Sequence, residues 1–263
     1  MCIFCRNDGG ASRAREHIIP ESLGGPADLT LSSKEVCQTC NSKLSEVDRA
    51  LIDAFRLLRP AVTETTKRGQ PPHARAPGLR FRREQARLDV LIEPTIVGTK
   101  GNSALFLPRG EVLVRRAVAL RFDERVSRAL HKIAFELVCL RLGQDAVLAA
   151  EFDNLREYVI RDGGGSRHVL TLAKQSRQST ELSATHGVHV VESLENRNGY
   201  LVQLTLCGMQ FWIAVAPDPD AILEIGRDMN QRAGECLVVA LGADGAARDP
   251  AVLLDRGDAS ACT

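Results

Sequence analysis

Two cysteine pairs frame the first forty residues, Cys2-Ile-Phe-Cys5 and Cys37-Gln-Thr-Cys40. Between them runs Arg15-Glu16-His17-Ile18-Ile19-Pro20, and Asn41 follows the second pair directly. A Cys-x-x-Cys pair brings two thiolates to one tight turn. Two such pairs fill a tetrahedron around zinc at Zn–S distances of about 2.3 Å, and a closed four-sulfur site is structural rather than catalytic. A disulfide framework needs an oxidising compartment, and no signal peptide precedes Cys2. A thioredoxin-like redox pair belongs between a buried strand and a helix, not at residue 2. The scattered Cys139, Cys207, Cys236 and Cys262 read as reduced thiols, with Cys139 a small core residue in an apolar helical stretch.

The elements that must position these residues are short. His17 precedes Ile-Ile-Pro, so its backbone is expected to be extended and then turned at Pro20. Gly24-Gly25-Pro26 gives a bend. Leu44, Val47, Leu51 and Phe55 are spaced for one helix face, with Asn41 or Ser42 as the expected N-cap. The expectation is two short strands, a loop and a helix, pinned by zinc. So few apolar residues make a marginal core, and metal binding should add folding energy on the order of 10 kcal/mol.

The strings Cys-x-x-Cys, Glu-His-Ile-Ile-Pro-x-Ser-Leu-Gly-Gly and Val-Cys-x-x-Cys-Asn resemble the zinc-bearing HNH endonucleases over roughly residues 1–55. The resemblance implies a ββα-metal fold and phosphodiester hydrolysis that leaves 5′-phosphate and 3′-hydroxyl ends. It implies that His17 is the general base and that Glu16 and Asn41 bind a catalytic divalent ion. It also implies that Cys2, Cys5, Cys37 and Cys40 hold the structural zinc. These roles suit the residue types: histidine titrates near neutrality, and a carboxylate with an amide oxygen suits Mg²⁺ or Mn²⁺. The sequence departs from the family in one place. The middle Asn of the signature is absent from Leu29-Thr30-Leu31-Ser32-Ser33-Lys34-Glu35, where Ser32, Ser33 or a backbone carbonyl is the candidate replacement. Asp48 shares the helix face of Asn41 and reads either as a reserve metal ligand or as a solvated helix residue.

At 263 residues, with 44% hydrophobic and 25% charged residues, the chain reads as one or two globular domains. No apolar run approaches the ~18 residues of a membrane span, and a cytoplasmic location is expected. From Arg56 to Arg87, nine basic residues stand against two acidic ones, a local net charge of +7. This stretch is rich in Pro, Gly and Thr and reads as a linker over residues 59–87. Arg80, Arg82 and Arg83 are its candidate phosphate contacts, and a solvated linker without such a role is the equal alternative.

Residues 88–263 read as an α+β domain, a mainly antiparallel sheet with a helix pair. Strands are expected at Leu88–Val97, Ser103–Leu107, Glu111–Phe122, His168–Ala173, Val188–Leu194, Tyr200–Cys207, Phe211–Val215 and Glu235–Leu241. Asp123 should cap a long helix to Leu142 whose buried face carries Val126, Leu130, Ile133, Leu137 and Leu140, with Gly143 ending it. A second helix is expected near Asp145–Ile160 and a short one near Ala221–Asp228, and the tail 242–263 reads as frayed. His131 lies at the edge of the apolar stripe and reads as structural or exposed.

The whole pattern points to an HNH module (1–58), a linker and an α+β domain, acting on DNA, with RNA as the other nucleic-acid substrate. Its expected cofactors are Zn²⁺ and Mg²⁺ or Mn²⁺. A zinc-stabilised nucleic-acid-binding protein with a degenerate catalytic site is the second reading, and a zinc-held protein-interaction module the third. The domain after the linker would serve target binding, homodimerisation or a regulatory protein partner. Because a compact free nuclease endangers its host, a restricted setting such as phage defence is expected.

Overall fold

Glu16 and His17 form the two-residue strand β1, which pairs antiparallel with β2 (Thr30–Leu31) in the register Glu16↔Leu31 and His17↔Thr30. Their connection is tight. A 3-10 turn at Glu21–Leu23 ends on Gly24 in the left-handed region (φ 82°). A Cβ at Gly25 would lie 2.1 Å from the Ile19 carbonyl oxygen, so only glycine fits there. The Gly-Gly step thus folds the loop back onto the strand that carries the histidine.

Helix α1 runs from Gln38 to Ala54 and buries Cys40, Leu44, Val47 and Leu51. Its N-cap is Cys37, in extended backbone (φ −71°, ψ 157°), not the expected Asn41 or Ser42. Asn41 instead donates its backbone N–H to Cys37 O at 2.9 Å, the first bond of the helix. The second Cys-x-x-Cys pair therefore coincides with the helix start, with Cys37 at the cap and Cys40 one turn along.

The computed structural model describes residues 1–7, 15–55, 122–161, 167–172, 187–194, 198–206, 209–242 and 246–254. It also describes the backbone of β3 (His73–Ala76), β4 (Leu79–Glu84), β5 (Arg87–Ile92), β6 (Ser103–Phe106) and β7 (Val112–Arg115). Strands β3, β4 and β5 form one antiparallel sheet, and β6 pairs with β7. The expected linker 59–87 is thus partly strand. Its Pro, Gly and Arg content hid the short alternating runs.

Helix α2 (Glu124–Leu142) begins and ends as expected: the Asp123 carboxylate accepts from Val126 N at 3.1 Å, and Gly143 (φ 90°) closes it. Every residue from Val126 to Cys139 is buried, so α2 is a central helix rather than one with a single apolar face. Leu140, expected inside, is exposed, because the helix has left the core by then. His131 is structural and buried, not exposed.

The expected second helix is broken into α3 (Asp145–Leu148), a 3-10 turn (Ala150–Phe152) and α4 (Asp153–Arg161). A six-stranded antiparallel sheet follows, built from β8 (Val169–Leu172), β9 (Gly187–Leu194), β10 (Gly199–Leu206), β11 (Met209–Val215), β12 (Val238–Leu241) and β13 (Ala247–Arg248) in the order β13-β12-β8-β11-β10-β9. One face, with Val202, Leu204, Phe211 and Ile213, shares a core with α2. The other face, with Leu170, Trp212 and Ala214, packs on α5 (Ala221–Ala233). Successive residues Phe211 and Trp212 enter opposite cores, as the strand period requires. Helix α5 outruns the expected Ala221–Asp228. Part of the expected frayed tail is ordered as β13 and α6 (Pro250–Leu254), whereas residues 255–263 lie outside the described residues.

Residues expected to form separate modules share one core. Ile3, Ile18, Leu23, Leu44 and Leu51 belong to the same buried cluster as Leu130, Phe135, Leu155 and Ile213. Cys139 is a buried free thiol, whereas Cys236, expected reduced, is disulfide-bonded. Cys207 and Cys262 lie outside the described residues. No helix among the described residues is long and apolar enough to cross a membrane.

Candidate functional site

The sulfur atoms of Cys2, Cys5, Cys37 and Cys40 all lie within 4.8 Å of one another. Cys5 Sγ and Cys37 Sγ are 3.6 Å apart, close to the ~3.8 Å edge of a tetrahedron with 2.3 Å Zn–S bonds. The Cys37 backbone N–H points at Cys2 Sγ at 3.4 Å. Cys2, Cys5 and Cys40 compete for protons. A hydrogen bond from Cys40 holds Cys2 down to about 4, while the contact with Cys2 and burial push Cys40 up. Burial raises Cys5 as well. A divalent cation resolves this competition by replacing the protons, so the donor set fits structural zinc.

The second cluster lies at β1. Strand alternation sends the two side chains of Glu16-His17 to different surroundings. Glu16 is only 4% exposed, and the His17 side chain is 29% exposed. His17 Nε2 lies 3.1 Å from Glu21 Oε1. His17 Nδ1 is buried without a hydrogen-bond partner among the described residues. Asn41 Nδ2 donates to Arg15 O at 3.3 Å, which ties α1 to the residue before β1 and leaves Oδ1 as the remaining acceptor of the amide.

Glu16 faces inward, onto Lys132 of α2. Lys132 is completely buried and pairs with the Glu16 carboxylate. Its ammonium also donates to Asp48 Oδ1 at 3.0 Å and to His17 O at 3.2 Å, and it lies 3.4 Å from Glu136 Oε2. Burial alone would lower Lys132, but Glu136, Asp48 and Glu16 together hold it above its ordinary value. Burial raises Glu16 and Asp48 against the pull of Lys132, and it raises Glu136 furthest. Asp48 is therefore an ion-paired residue, not a solvated one.

The sequence expectations and the geometry meet in part. Asn41 is tied to Arg15, the residue before β1, while the Glu16 and His17 side chains go to different surroundings. Ser32 does not replace the missing Asn: its backbone N–H bonds Glu35 Oε2 at 2.7 Å, and its hydroxyl meets the same carboxylate, closing a local turn. Arg80, Arg82 and Arg83 lie in β4, and their side chains are outside the described residues. Sequence reasoning missed Glu21, Lys132 and Glu136. Glu21 stands four residues after His17, across Pro20. Lys132 and Glu136 form an i,i+4 pair on α2, a local signal that a charge could be buried there.

A catalytic divalent ion is a different matter from zinc. Asn41 retains an oxygen for it, but the oxygens of Asp48 both accept from Lys132 and Glu16 is enclosed against the same ammonium. As arranged, these two carboxylates do not fit a metal ion, because a cation already occupies their acidic pole.

Residues 2–56 match the family model described as HNH endonuclease. No curated protein and no solved structure matches the chain. The N-terminal part is accordingly an HNH domain with a four-cysteine cluster that could bind zinc. The rest of the described chain is mixed helix and antiparallel sheet.

Proposed function

We propose that the N-terminal domain hydrolyses phosphodiester bonds of DNA, with His17 as the general base. The observation that carries this reading is the state of His17 inside the family-matched segment. One ring nitrogen is engaged by Glu21, and the other has no partner among the described residues. A carboxylate accepting from Nε2–H selects the tautomer in which Nδ1 is basic. A buried acceptor without a partner is costly, and such atoms survive where a reacting group completes them. A water placed at Nδ1 would surrender its proton there and attack phosphorus, breaking the bond to the 3′ oxygen, which leaves as a hydroxyl by taking a proton from solvent. Asn41, held by Arg15 O, offers its amide oxygen beside the same strand.

One observation favours the second reading, a nucleic-acid-binding protein with a degenerate site: Glu16 is committed to Lys132. The two readings part in one assay, plasmid DNA with Mg²⁺ or Mn²⁺, comparing the parent with His17→Ala. The expected result is cleavage by the parent and a loss of about 10²–10⁴-fold in the variant, at unchanged zinc content. Binding without cleavage of duplex DNA, single-stranded DNA or RNA would replace the enzyme reading with the second one.

A further inference from the structure

We infer that Lys132, which lies far outside the family-matched segment, is the resident cation of the site's acidic pole, and that a divalent ion taken by Glu16 binds in competition with it. The inference rests on the nuclease reading for the identity of the site but not for its own geometry.

Lys132 has three N–H donors. They are consumed by the Glu16 carboxylate, the Asp48 carboxylate and the His17 carbonyl oxygen. Those acceptors come from β1 and α1, the two elements that carry His17 and Asn41. The donors are then exhausted, and Glu136, the i,i+4 partner on the lysine's own helix, is left as the longest of the ion pairs at 3.4 Å, with neither oxygen hydrogen-bonded. An ammonium recruited only to stabilise α2 would bond Glu136 first. This one reaches past it to the nuclease elements.

The charge count points the same way. Even with Glu136 set aside as the carboxyl that burial raises furthest, two carboxylates, Glu16 and Asp48, stand against one ammonium, with no second cation in contact with Lys132 among the described residues. The pole therefore has the sign and oxygen content that a divalent ion needs, while Lys132 blocks the approach to Glu16. A charge about 4 Å from a second cation repels it by an amount that dominates weak metal binding.

The test measures Mn²⁺ binding to the full, zinc-loaded chain from the free-Mn²⁺ spin-resonance signal, without nucleic acid. Lys132→Met should bind Mn²⁺ about tenfold more tightly or better. Lys132→Arg, which keeps the cation, should bind like the parent. The gain should vanish in Lys132→Met/Glu16→Gln. If Lys132→Met alone does not fold, Lys132→Met/Glu136→Gln relieves the buried carboxyl on the same helix and takes its place. A folded variant with unchanged or weaker Mn²⁺ affinity overturns the inference, and so does a gain that survives Glu16→Gln. If Mn²⁺ affinity rises but no variant cleaves DNA, the competition stands and the nuclease reading falls. If the parent cleaves and Mn²⁺ affinity ignores Lys132, the reverse holds.

Discussion

At the cysteine end of the HNH domain, Arg156 of α4 donates Nε–H to the Ile3 carbonyl at 2.8 Å and Nη2 to Ala149 O at 3.0 Å. At the opposite end, Lys132 of α2 meets the carboxylates of Glu16 and Asp48. Both cations are buried and both fasten the same small domain to the helices that follow it. They differ in what they face. Arg156 meets mainly neutral carbonyls beside a four-cysteine cluster that could hold a metal, so its work is to place backbone. Lys132 meets charge, so its removal leaves charge behind. The cysteine end should therefore depend on zinc, and the carboxylate end on the protein's own cation.

Zinc removal should be the largest perturbation, because structural zinc contributes on the order of 10 kcal/mol to such domains. Hydrogen exchange after verified chelation should find the amides of α1 unprotected. Disturbance should spread into α2, since Leu44 and Leu130 share one core. Near-native helix content in zinc-free protein would refute this.

The two cations rank next. Lys132→Met should cost about 3–5 kcal/mol by urea denaturation, because it strands buried carboxylates. Arg156→Met should cost less, about 1–3 kcal/mol, since it strands carbonyl oxygens. A reversed order would break the comparison.

An effect that is absent at neutral pH and grows only in acid sharpens it. His131 and Lys132 are consecutive and both buried, yet one is held neutral and the other charged. Burial, then Arg167 and His168, press His131 down to about 3, against the Ser127 carbonyl, which accepts from the ring Nδ1–H at 2.9 Å. Tyr158 meets the ring edge-on. The unfolded chain protonates this histidine below about 6.5, whereas the folded chain resists until about 3. Its contribution is therefore complete above pH 6.5 and is lost as pH falls toward 3, with a slope approaching about 1.4 kcal/mol per pH unit. His131→Gln should flatten the acid limb of a stability–pH curve by that amount. An unaltered slope would mean that the histidine is already charged in the fold.

Much of the cysteine end was legible, because its information is local. The two Cys-x-x-Cys turns, the Gly24-Gly25 bend and the stripe Leu44, Val47, Leu51 each follow from neighbours in sequence. The caps of α2 at Asp123 and Gly143 were legible for the same reason. The carboxylate end was not. Lys132 reaches His17 O across 115 positions, and no periodicity encodes that pairing. Helix α2 carries an apolar stripe in sequence, but its polar side is covered too. Ser127, Arg128, His131, Lys132 and Glu136 are all buried, which only the tertiary arrangement of the HNH domain, α4 and the sheet decides. Helix α1 starts at Cys37 rather than at a conventional capping residue because the cysteine pair sits in its first turn.

That separation has a consequence in time. A ribosome adding about 5–20 residues per second needs roughly 6–23 s to travel from His17 to Lys132, a span of 115 residues. Through that interval the histidine strand has emerged but the lysine that grips it has not been made. A metal held by the four cysteines would then be a fastening already available to the nascent domain, and the His17 strand comes under the control of α2 only as the second half of the chain is translated.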